Sequence, residues 1–370
     1  MNGATTDDVV PAAILLADGT LFEGEAIGVY PADGIARGEF VFNTVLSGYQ
    51  EVISDPSYAG QVITFTYPHI GNYGVNALDE ESRHPHCSGV VVRNLARRAS
   101  NHRSSGSLGT WLADHGIPGV AGIDTRRLTR HIRDHGAVPG VFGTAPVEKL
   151  RAALGSARPT DGIDLVAGVT DPEGRTVPAT GGATRRIVAL DLGIKSTMVR
   201  ELARLGTVEV VPAGTTASEV LAREPDGVFV SNGPGDPAAV QGVAAELGAL
   251  LGEVPVFGIC MGHQMLAAAL GARTYKLPFG HHGGNHPVQD LGTGKVEITS
   301  QNHNYCVDPE TLTGAEVTHV NLNDGTLEGF RCTEVPAFAV QYHPEAGPGP
   351  HDSRYLFERF ADLMDERGRR

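Results

Sequence analysis

The sequence has 370 residues, of which 41% are hydrophobic and 19% charged, and its 43 acidic and 29 basic residues give a formal net charge of −14. At about 150 residues per domain, this length predicts two or three domains, each with its own hydrophobic core. The acidic balance argues against binding to nucleic acids or anionic membranes, which both require positive charge, so a small neutral or zwitterionic substrate or a protein partner fits better.

The N-terminus lacks the features of an export signal, because residues 1–11 contain two aspartates and no basic stretch before an apolar core. No window approaches the run of about 20 apolar residues that spans a bilayer. Four cysteines are present, namely Cys87, Cys260, Cys306 and Cys332. They form no CxxC pair, which argues against zinc ribbons and disulfide scaffolds. We therefore expect a cytoplasmic protein that does not insert into membranes.

The N-terminal half mixes strand and helix patterns. An Asp-Gly turn at Asp18 and Gly19, between two short apolar runs, predicts a β-hairpin. The other predicted elements are strands at residues 61–67 and 89–92 and helices at residues 108–115 and 125–134. We expect a smaller α+β domain over residues 1–154.

A stretch rich in Gly, Pro, Thr and Asp, residues 155–184, predicts a linker. After it, short apolar strands alternate with helices. The predicted strands are residues 186–192, 208–211, 227–230 and 254–259, and the helices are residues 195–205, 216–223, 237–251, 262–270 and 353–366. Strands that are apolar on both faces and separated by helices predict a mainly parallel sheet covered on both sides. We expect an α/β domain over residues 185–370, with ligands at the carboxyl ends of its strands.

One of these strands runs directly into the sequence Gly-Ile-Cys-Met-Gly at residues 258–262 and then into a helix. This is the cysteine form of a strand–turn–helix elbow, in which flanking glycines permit a sharp turn that presents one side chain. The positive end of the helix favours the thiolate of Cys260, which makes it a candidate nucleophile. The alternative is a buried core cysteine.

His343 and Glu345 follow a further predicted strand, residues 337–342, and would therefore share the carboxyl edge of the sheet with Cys260. His343 could pair with the thiolate and protonate a departing amine, while Glu345 orients and stabilises the imidazole. The alternative for His343 is a surface histidine before the turn-forming Pro344. The positions of all three residues just beyond strands favour the catalytic interpretation.

The sequence SNGPGDP at residues 231–237 follows the strand at residues 227–230. Its glycines would let the backbone approach a ligand. The N–H groups of Gly235 and Met261 could then stabilise a tetrahedral oxyanion. Alternatively, this segment is only a tight turn.

Two other patterns do not predict ligand sites. His281, His282 and His286 match no common zinc spacing, so we expect a structural or interface loop and no metal site. No phosphate-binding G-x-x-x-x-G-K-[ST] motif occurs, so the chain has no ATP loop of this type.

Together, the motifs SNGPGDP, GICMGHQ and HPE resemble those of the class I glutamine amidotransferases. Within that class, the sequence is similar to the small, glutamine-hydrolysing chains of carbamoyl phosphate synthases. The segments that carry this second resemblance are residues 42–76, 119–137, 279–288 and 300–307. The first two are absent from other amidotransferases of the class, and the resemblance extends from about residue 13 to residue 360.

The resemblance implies roles for individual residues. Cys260 matches the nucleophile that attacks the side-chain amide of glutamine, His343 its acid–base partner and Glu345 the orienting acid. The glutamine-binding positions match Ser57, Gly233, Gly235, Met261, Gln264, Asn302, Asn304 and Tyr305. The last two depart from the usual Gly and Phe of the family. Lys195 also fits the family pattern, without an assigned role.

The resemblance also implies a partner. Ammonia from L-glutamine would pass to a separate large chain, which binds ATP and Mg and makes carbamoyl phosphate from bicarbonate for arginine and pyrimidine synthesis. This chain would bind no cofactor, and the complex would be a heterodimer or a higher oligomer. One alternative is a free-standing thiol hydrolase of γ-glutamyl compounds, and another is a regulatory subunit without activity. The N-terminal half favours docking to a large chain, since a lone hydrolase has no evident need for it.

Overall fold

The computed structural model describes residues 9–368, and the chain divides into two compact units. The first unit consists of the described part of Met1–Asn43, with Gly60–Asp79 and Cys87–Pro159, and the second of Thr44–Ala59, Glu80–His86 and the described part of Thr160–Arg370. Two short segments from the region predicted as the N-terminal domain thus belong to the second unit. The predicted domain boundaries stay a prediction.

Within the described residues, the first unit is built on a closed β-barrel. In chain order, the strands of the whole unit are β1 (Pro11–Leu16), β2 (Leu21–Gly28), β3 (Ile35–Asn43), β4 (Gln61–Phe65), β5 (His69–Ile70), β6 (Gly89–Val91), β7 (Asn94–Leu95), β8 (Pro118–Ala121) and β9 (Val138–Gly143). The order around the barrel is β1-β2-β8-β6-β4-β3-β9, and β9 pairs with β1 to close it, while β5 and β7 pair separately. The predicted hairpin is β1 and β2, whose turn contains Gly19 at φ +87°.

Helices accompany the barrel, as expected for an α+β domain. The first helix of the chain, α1 (Tyr49–Ser54), belongs to the second unit, and α2 (Leu108–Asp114), α3 (Thr125–His135) and α4 (Val147–Ala153) belong to the first. In α3, the side chain of Asp124 caps the N-terminus by accepting the backbone N–H of Arg127, and the helix buries Leu128 and Ile132. The expected separate α+β unit is confirmed.

The second unit is built on one large sheet. Its strands are β10 (Arg175–Val177), β11 (Arg185–Asp191), β12 (Gly206–Pro212), β13 (Gly227–Val230), β14 (Val256–Ile259), β15 (Thr274–Asp290), β16 (Val296–Val307), β17 (Ala315–Asn321), β18 (Leu327–Cys332) and β19 (Ala337–Val340). Its further helices are α5 (Ser196–Ala203), α6 (Ala217–Leu221), α7 (Val243–Leu250), α8 (Met261–Ala269) and α9 (Tyr355–Gly368). Within residues 9–368, every helix is too short or too polar to cross a bilayer.

The centre of this sheet is parallel, in the order β12-β11-β13-β14-β19. Alternate residues of one strand face two apolar cores, so that Val228 and Val230 pack into one core and Phe229 into the other. This explains why the central strands are apolar on both faces, and the predicted α/β class is confirmed. The antiparallel strands β18-β17-β15-β16 extend the sheet, and β15 contains His281 to His286, which the sequence analysis expected in a loop.

We expect Phe257→Ala to lower the free energy of unfolding by about 3–5 kcal/mol, because it would leave a cavity in this core. Phe257 is fully buried, and its ring stacks on that of Phe338 with centroids 4.4 Å apart. Urea denaturation measures the loss. The control Leu322→Ala, at a residue that is 49% exposed, should cost less than about 1 kcal/mol. Equal small losses for both variants would contradict this packing.

Candidate active site

Cys260 lies between β14 and α8 with φ +56° and ψ −104°. A positive φ at a residue with a side chain costs about 1–3 kcal/mol, so the surroundings must hold it. A Cβ at Gly258 would lie 2.7 Å from the carbonyl oxygen of Gly262, and one at Gly262 would lie 2.1 Å from that of Val230. Gly258 therefore lets β14 pack closely on the start of α8, and Gly262 lets the elbow pack against the end of β13.

The thiol of Cys260 lies at the carboxyl edge of the parallel strands. Its Sγ is 3.5 Å from the carbonyl oxygen of Asn302 on β16, and its backbone N–H donates to the carbonyl oxygen of Val340 at 2.9 Å. Strands β14 and β19 pair in parallel with Ile259 opposite Val340. Cys260 and His343 therefore follow neighbouring strands at the same edge of the sheet.

His343, Glu345 and Lys195 form a buried chain of hydrogen bonds. The Nδ1 atom of His343 lies 2.8 Å from Oε1 of Glu345, and Nζ of Lys195 donates to the same oxygen at 2.8 Å. Lys195 also donates to the carbonyl oxygen of Ala346 at 2.7 Å. The other ring nitrogen of His343, Nε2, is buried and makes no hydrogen bond among the described residues. It is thus the nitrogen left for proton transfer.

Within this series of hydrogen bonds, each charged group stabilises the charged form of its neighbour. Burial alone lowers the pKa of His343, but the Glu345 carboxylate and the nearby Cys260 side chain outweigh burial and raise it above its usual value. Burial raises the pKa of Glu345, yet Lys195 and His343 outweigh it and lower that pKa. Burial lowers the pKa of Lys195, and the carboxylates around it, Glu345 first, raise it. Neutral pH therefore favours an imidazolium, a carboxylate and an ammonium group in contact.

A second buried carboxylate, Asp55, joins the predicted glutamine-binding segments. Its Oδ1 accepts from the backbone N–H of Ser57 at 2.9 Å and from Nδ2 of Asn232 at 3.3 Å. Its Oδ2 accepts from Nδ2 of Asn302 at 2.8 Å. Asn232 also donates to Oγ of Ser57 at 2.9 Å. Ser57, Asn302 and the residue preceding Gly233 therefore lie in one polar cluster.

Gln264, Asn304 and Tyr305 lie beside this cluster. The Nε2 atom of Gln264 donates to the carbonyl oxygen of Tyr305 at 2.8 Å and to Oε1 of Gln341 at 3.0 Å. The side-chain oxygen of Asn304 lies 2.9 Å from Nε2 of His282. The backbone of Tyr305 is thus held by a side chain of α8, and the side chain of Asn304 by that of His282.

The backbone groups predicted to bind an oxyanion lie at two loop ends. Met261 is the first residue of α8, where an N–H has no partner within its own helix. Gly235 has φ +88°, and a Cβ there would lie 3.0 Å from the carbonyl oxygen of Ile163. A Cβ at Gly233 would lie 2.3 Å from the carbonyl oxygen of Leu192. Side chains cannot be added at either glycine without displacement, and the oxyanion role stays a prediction.

His281 belongs to a buried polar network. Its Nε2 lies 2.8 Å from Oδ2 of Asp324, and its Nδ1 lies 3.6 Å from Oε1 of Glu328. His281, His303 and Glu328 bring ligand-type atoms within 4.8 Å of one another. However, both ring nitrogens of His303 are already within hydrogen-bond distance of oxygens. These contacts favour a structural network, and the expected absence of a metal site stays a prediction.

Sequence reasoning missed the roles of three buried residues. Asp55 lies two residues before Ser57, Asn232 directly precedes Gly233, and Lys195 follows the carboxyl end of β11. For Asn232 and Lys195, the available signal was a polar residue that follows an apolar strand; for Asp55, it was a polar residue two positions before Ser57. Their partners are distant in sequence, so the pattern alone could not reveal the contacts.

Comparisons with known proteins agree with the motifs. Residues 188–363 match the family "Glutamine amidotransferase class-I", and residues 14–142 match "Carbamoyl-phosphate synthase small chain, CPSase domain". The carbamoyl phosphate synthase small chain of Syntrophotalea carbinolica is 50% identical over 371 residues, covering 96% of this chain and 98% of that protein. The protein of the same name from Chlorobaculum tepidum is 50% identical over 363 residues, with the same coverage. A glutamine amidotransferase structure from Thermotoga maritima is 20% identical and covers 50% of this chain and 85% of that chain, with a TM-score of 0.36.

We expect Glu345→Gln to lower the pH at which His343 loses its proton by about 1–3 units, because the change removes the negative charge that raises the pKa of the imidazole. Titration of the His343 ring followed by NMR measures the midpoint. Glu310→Gln, at an exposed residue, is the matched control and should leave the midpoint unchanged. An unchanged midpoint in Glu345→Gln would show that another group sets the imidazole charge.

Proposed function

This chain belongs to the carbamoyl phosphate synthase small chains and is the glutamine-hydrolysing subunit; from this premise we propose that Cys260, His343 and Glu345 convert L-glutamine to L-glutamate and ammonia. The observation that carries the proposal is the convergence of the Cys260 elbow and the His343–Glu345 pair at the ends of neighbouring parallel strands. A free-standing hydrolase is not favoured, because the relatives match nearly the whole chain.

In the first step, the thiolate of Cys260 attacks the side-chain amide carbon of glutamine and forms a carbon–sulfur bond. The carbonyl electrons move to the oxygen, which the N–H groups of Met261 and Gly235 would stabilise. His343, protonated at Nε2, gives its proton to the amide nitrogen. The carbon–nitrogen bond then breaks, ammonia leaves, and a glutamyl thioester remains on Cys260.

In the second step, water attacks the thioester carbon. His343, now neutral, takes one proton from the water, and the carbon–sulfur bond breaks to release the thiolate and the side-chain carboxylic acid, which becomes glutamate when it gives its remaining proton to the solvent. Glu345 stays ionised through both steps and stabilises the imidazolium each time it forms. Lys195 keeps Glu345 ionised, because its positive ammonium group donates to the same carboxylate oxygen that His343 contacts.

We propose that glutamine binds beside the cluster anchored by Asp55. The residues that we assign to glutamine are Ser57, Gly233, Gly235, Met261, Gln264, Asn302, Asn304 and Tyr305. At Asn304, the backbone is the proposed contact, because the side-chain oxygen lies against His282. A zwitterion such as glutamine needs no basic cleft, which agrees with the acidic composition.

We propose that ammonia passes to a large chain that binds ATP and Mg²⁺ and makes carbamoyl phosphate, while this chain binds no cofactor. The names of the relatives support this division, since a small chain implies a larger partner. The proposed complex is a heterodimer or a higher oligomer. The proposed compartment is the cytoplasm, where reducing conditions keep Cys260 as a thiol.

We expect Cys260→Ser to abolish glutamine-dependent carbamoyl phosphate synthesis by the complex with the large chain, because the thiolate is lost. Synthesis from added ammonia should continue, since it bypasses this site. Cys332→Ser, at a second buried cysteine outside the proposed site, is the matched control and should keep both activities. If both activities fell together in Cys260→Ser with the fold intact, the proposed division of labour would be wrong.

We expect Ser57→Ala to raise the KM for glutamine about tenfold, the loss expected for one hydrogen bond in a buried polar cluster, and to change kcat much less. Steady-state kinetics of glutamine hydrolysis measure both constants. Ser218→Ala, at an exposed serine on α6, is the control and should change neither. An unchanged KM in Ser57→Ala would remove Ser57 from the glutamine site.

A further inference from the structure

Residues 160–165, here called the strap, cover one of the proposed glutamine-binding loops. The backbone N–H of Gly162 donates to Oδ2 of Asp236 at 3.0 Å. A Cβ built at Gly235 would lie 3.0 Å from the carbonyl oxygen of Ile163 and 3.2 Å from Cβ of Leu165. The strap therefore packs directly on the loop that contains Gly235.

Asp161 connects the strap to two antiparallel strands. Its Oδ2 lies 2.7 Å from Nζ of Lys276 on β15, and its Oδ1 accepts from the hydroxyl of Tyr305 on β16 at 3.3 Å. Lys276 and Tyr305 are opposite each other in the strand pair, and Nζ lies 5.9 Å from the centroid of the tyrosine ring. These three side chains, Asp161, Lys276 and Tyr305, are here called the clasp.

The clasp is connected to Cys260 through Gln264. The carbonyl oxygen of Tyr305 accepts from the side chain of Gln264, and the backbone N–H of Gln264 donates to the carbonyl oxygen of Cys260 at 3.1 Å. Tyr305 is only 5% exposed, so its ring is enclosed. A shift of the Tyr305 backbone would therefore displace the side chain of Gln264, in the first turn of α8.

The hydroxyl of Tyr305 makes a contact with Asp161 that a phenylalanine at this position could not make. We propose that the clasp positions glutamine: the Tyr305 hydroxyl and Asp161 hold the strap against the Gly235 loop and fix the Tyr305 backbone beside the substrate. The inference rests on the proposed glutamine site. It makes Tyr305 and Asp161 positioning residues that act on substrate binding rather than on bond cleavage.

The test compares Tyr305→Phe, Asp161→Ala and the double variant in the full chain assembled with its large chain. Each single variant should raise the KM for glutamine about threefold to tenfold with kcat unchanged, as expected for one hydrogen bond to a charged group that is partly exposed to water. The double variant should show no more than the larger single effect, because both changes remove the same contact. Hydrogen exchange of a peptide containing residues 160–165 should be faster in all three.

Tyr275→Phe removes a hydroxyl from an exposed tyrosine next to Lys276 and is the matched control, with KM and exchange unchanged. An unchanged KM in Tyr305→Phe, or single effects that multiply in the double variant, would overturn the clasp. Cys260→Ser separates the two proposals: if it loses hydrolysis while Tyr305→Phe keeps a normal KM, only the clasp is wrong. If Cys260→Ser keeps hydrolysis, the proposed function itself fails.

Discussion

One oxygen of the buried Glu345 carboxylate accepts from both His343 and Lys195, and the chemistry of the site depends on this shared acceptor. A buried carboxylate costs several kcal/mol unless opposite charges and hydrogen bonds compensate it. Lys195 supplies a permanent positive charge, so Glu345 stays ionised whether or not His343 carries a proton. Only an ionised Glu345 can raise the pKa of His343 by charge attraction, because the protonated acid carries no negative charge. The imidazole can therefore give up and regain its proton without destabilising the carboxylate that orients it.

The parallel register of the sheet supplies the geometry that this charge arrangement needs. Strands β14 and β19 end at the same level, which brings the Cys260 elbow beside the His343 turn. The positive φ of Cys260 is unfavourable by itself, and close packing of Gly262 on Val230 holds it in place. Any side chain at Gly262 would separate the elbow from β13. The glycines of the motif are thus required by backbone packing, and the cysteine is the residue that this packing presents.

The central strands could be predicted because their apolar character is local: residues 227–230 are buried on both faces, and β13 has these bounds. Barrel closure could not, since it pairs β1 with β9 from opposite ends of the first unit. Strand β15 was missed because its pairing with β16 shifts between Lys276 and His281 and again between Gly283 and His286. Such irregularities interrupt the alternation that identifies a strand, and the glycines there suggest a loop. The proposed catalytic residues lay within motifs, whereas the distant partners of Lys195 and Asp55 are set by the fold alone.

Asp55 and Glu345 divide the site into two parts, each organised by a buried carboxylate. Asp55 accepts from Asn232 and from Asn302, and Asn302 is one of the residues proposed to bind glutamine. Glu345 contacts the imidazole that is proposed to transfer protons. Lys195 belongs to both parts: its backbone N–H donates to the side-chain oxygen of Asn232 at 3.3 Å, and its Nζ donates to Glu345. Because one residue makes both contacts, Lys195 joins the cluster proposed to bind glutamine to the pair of residues proposed to transfer protons.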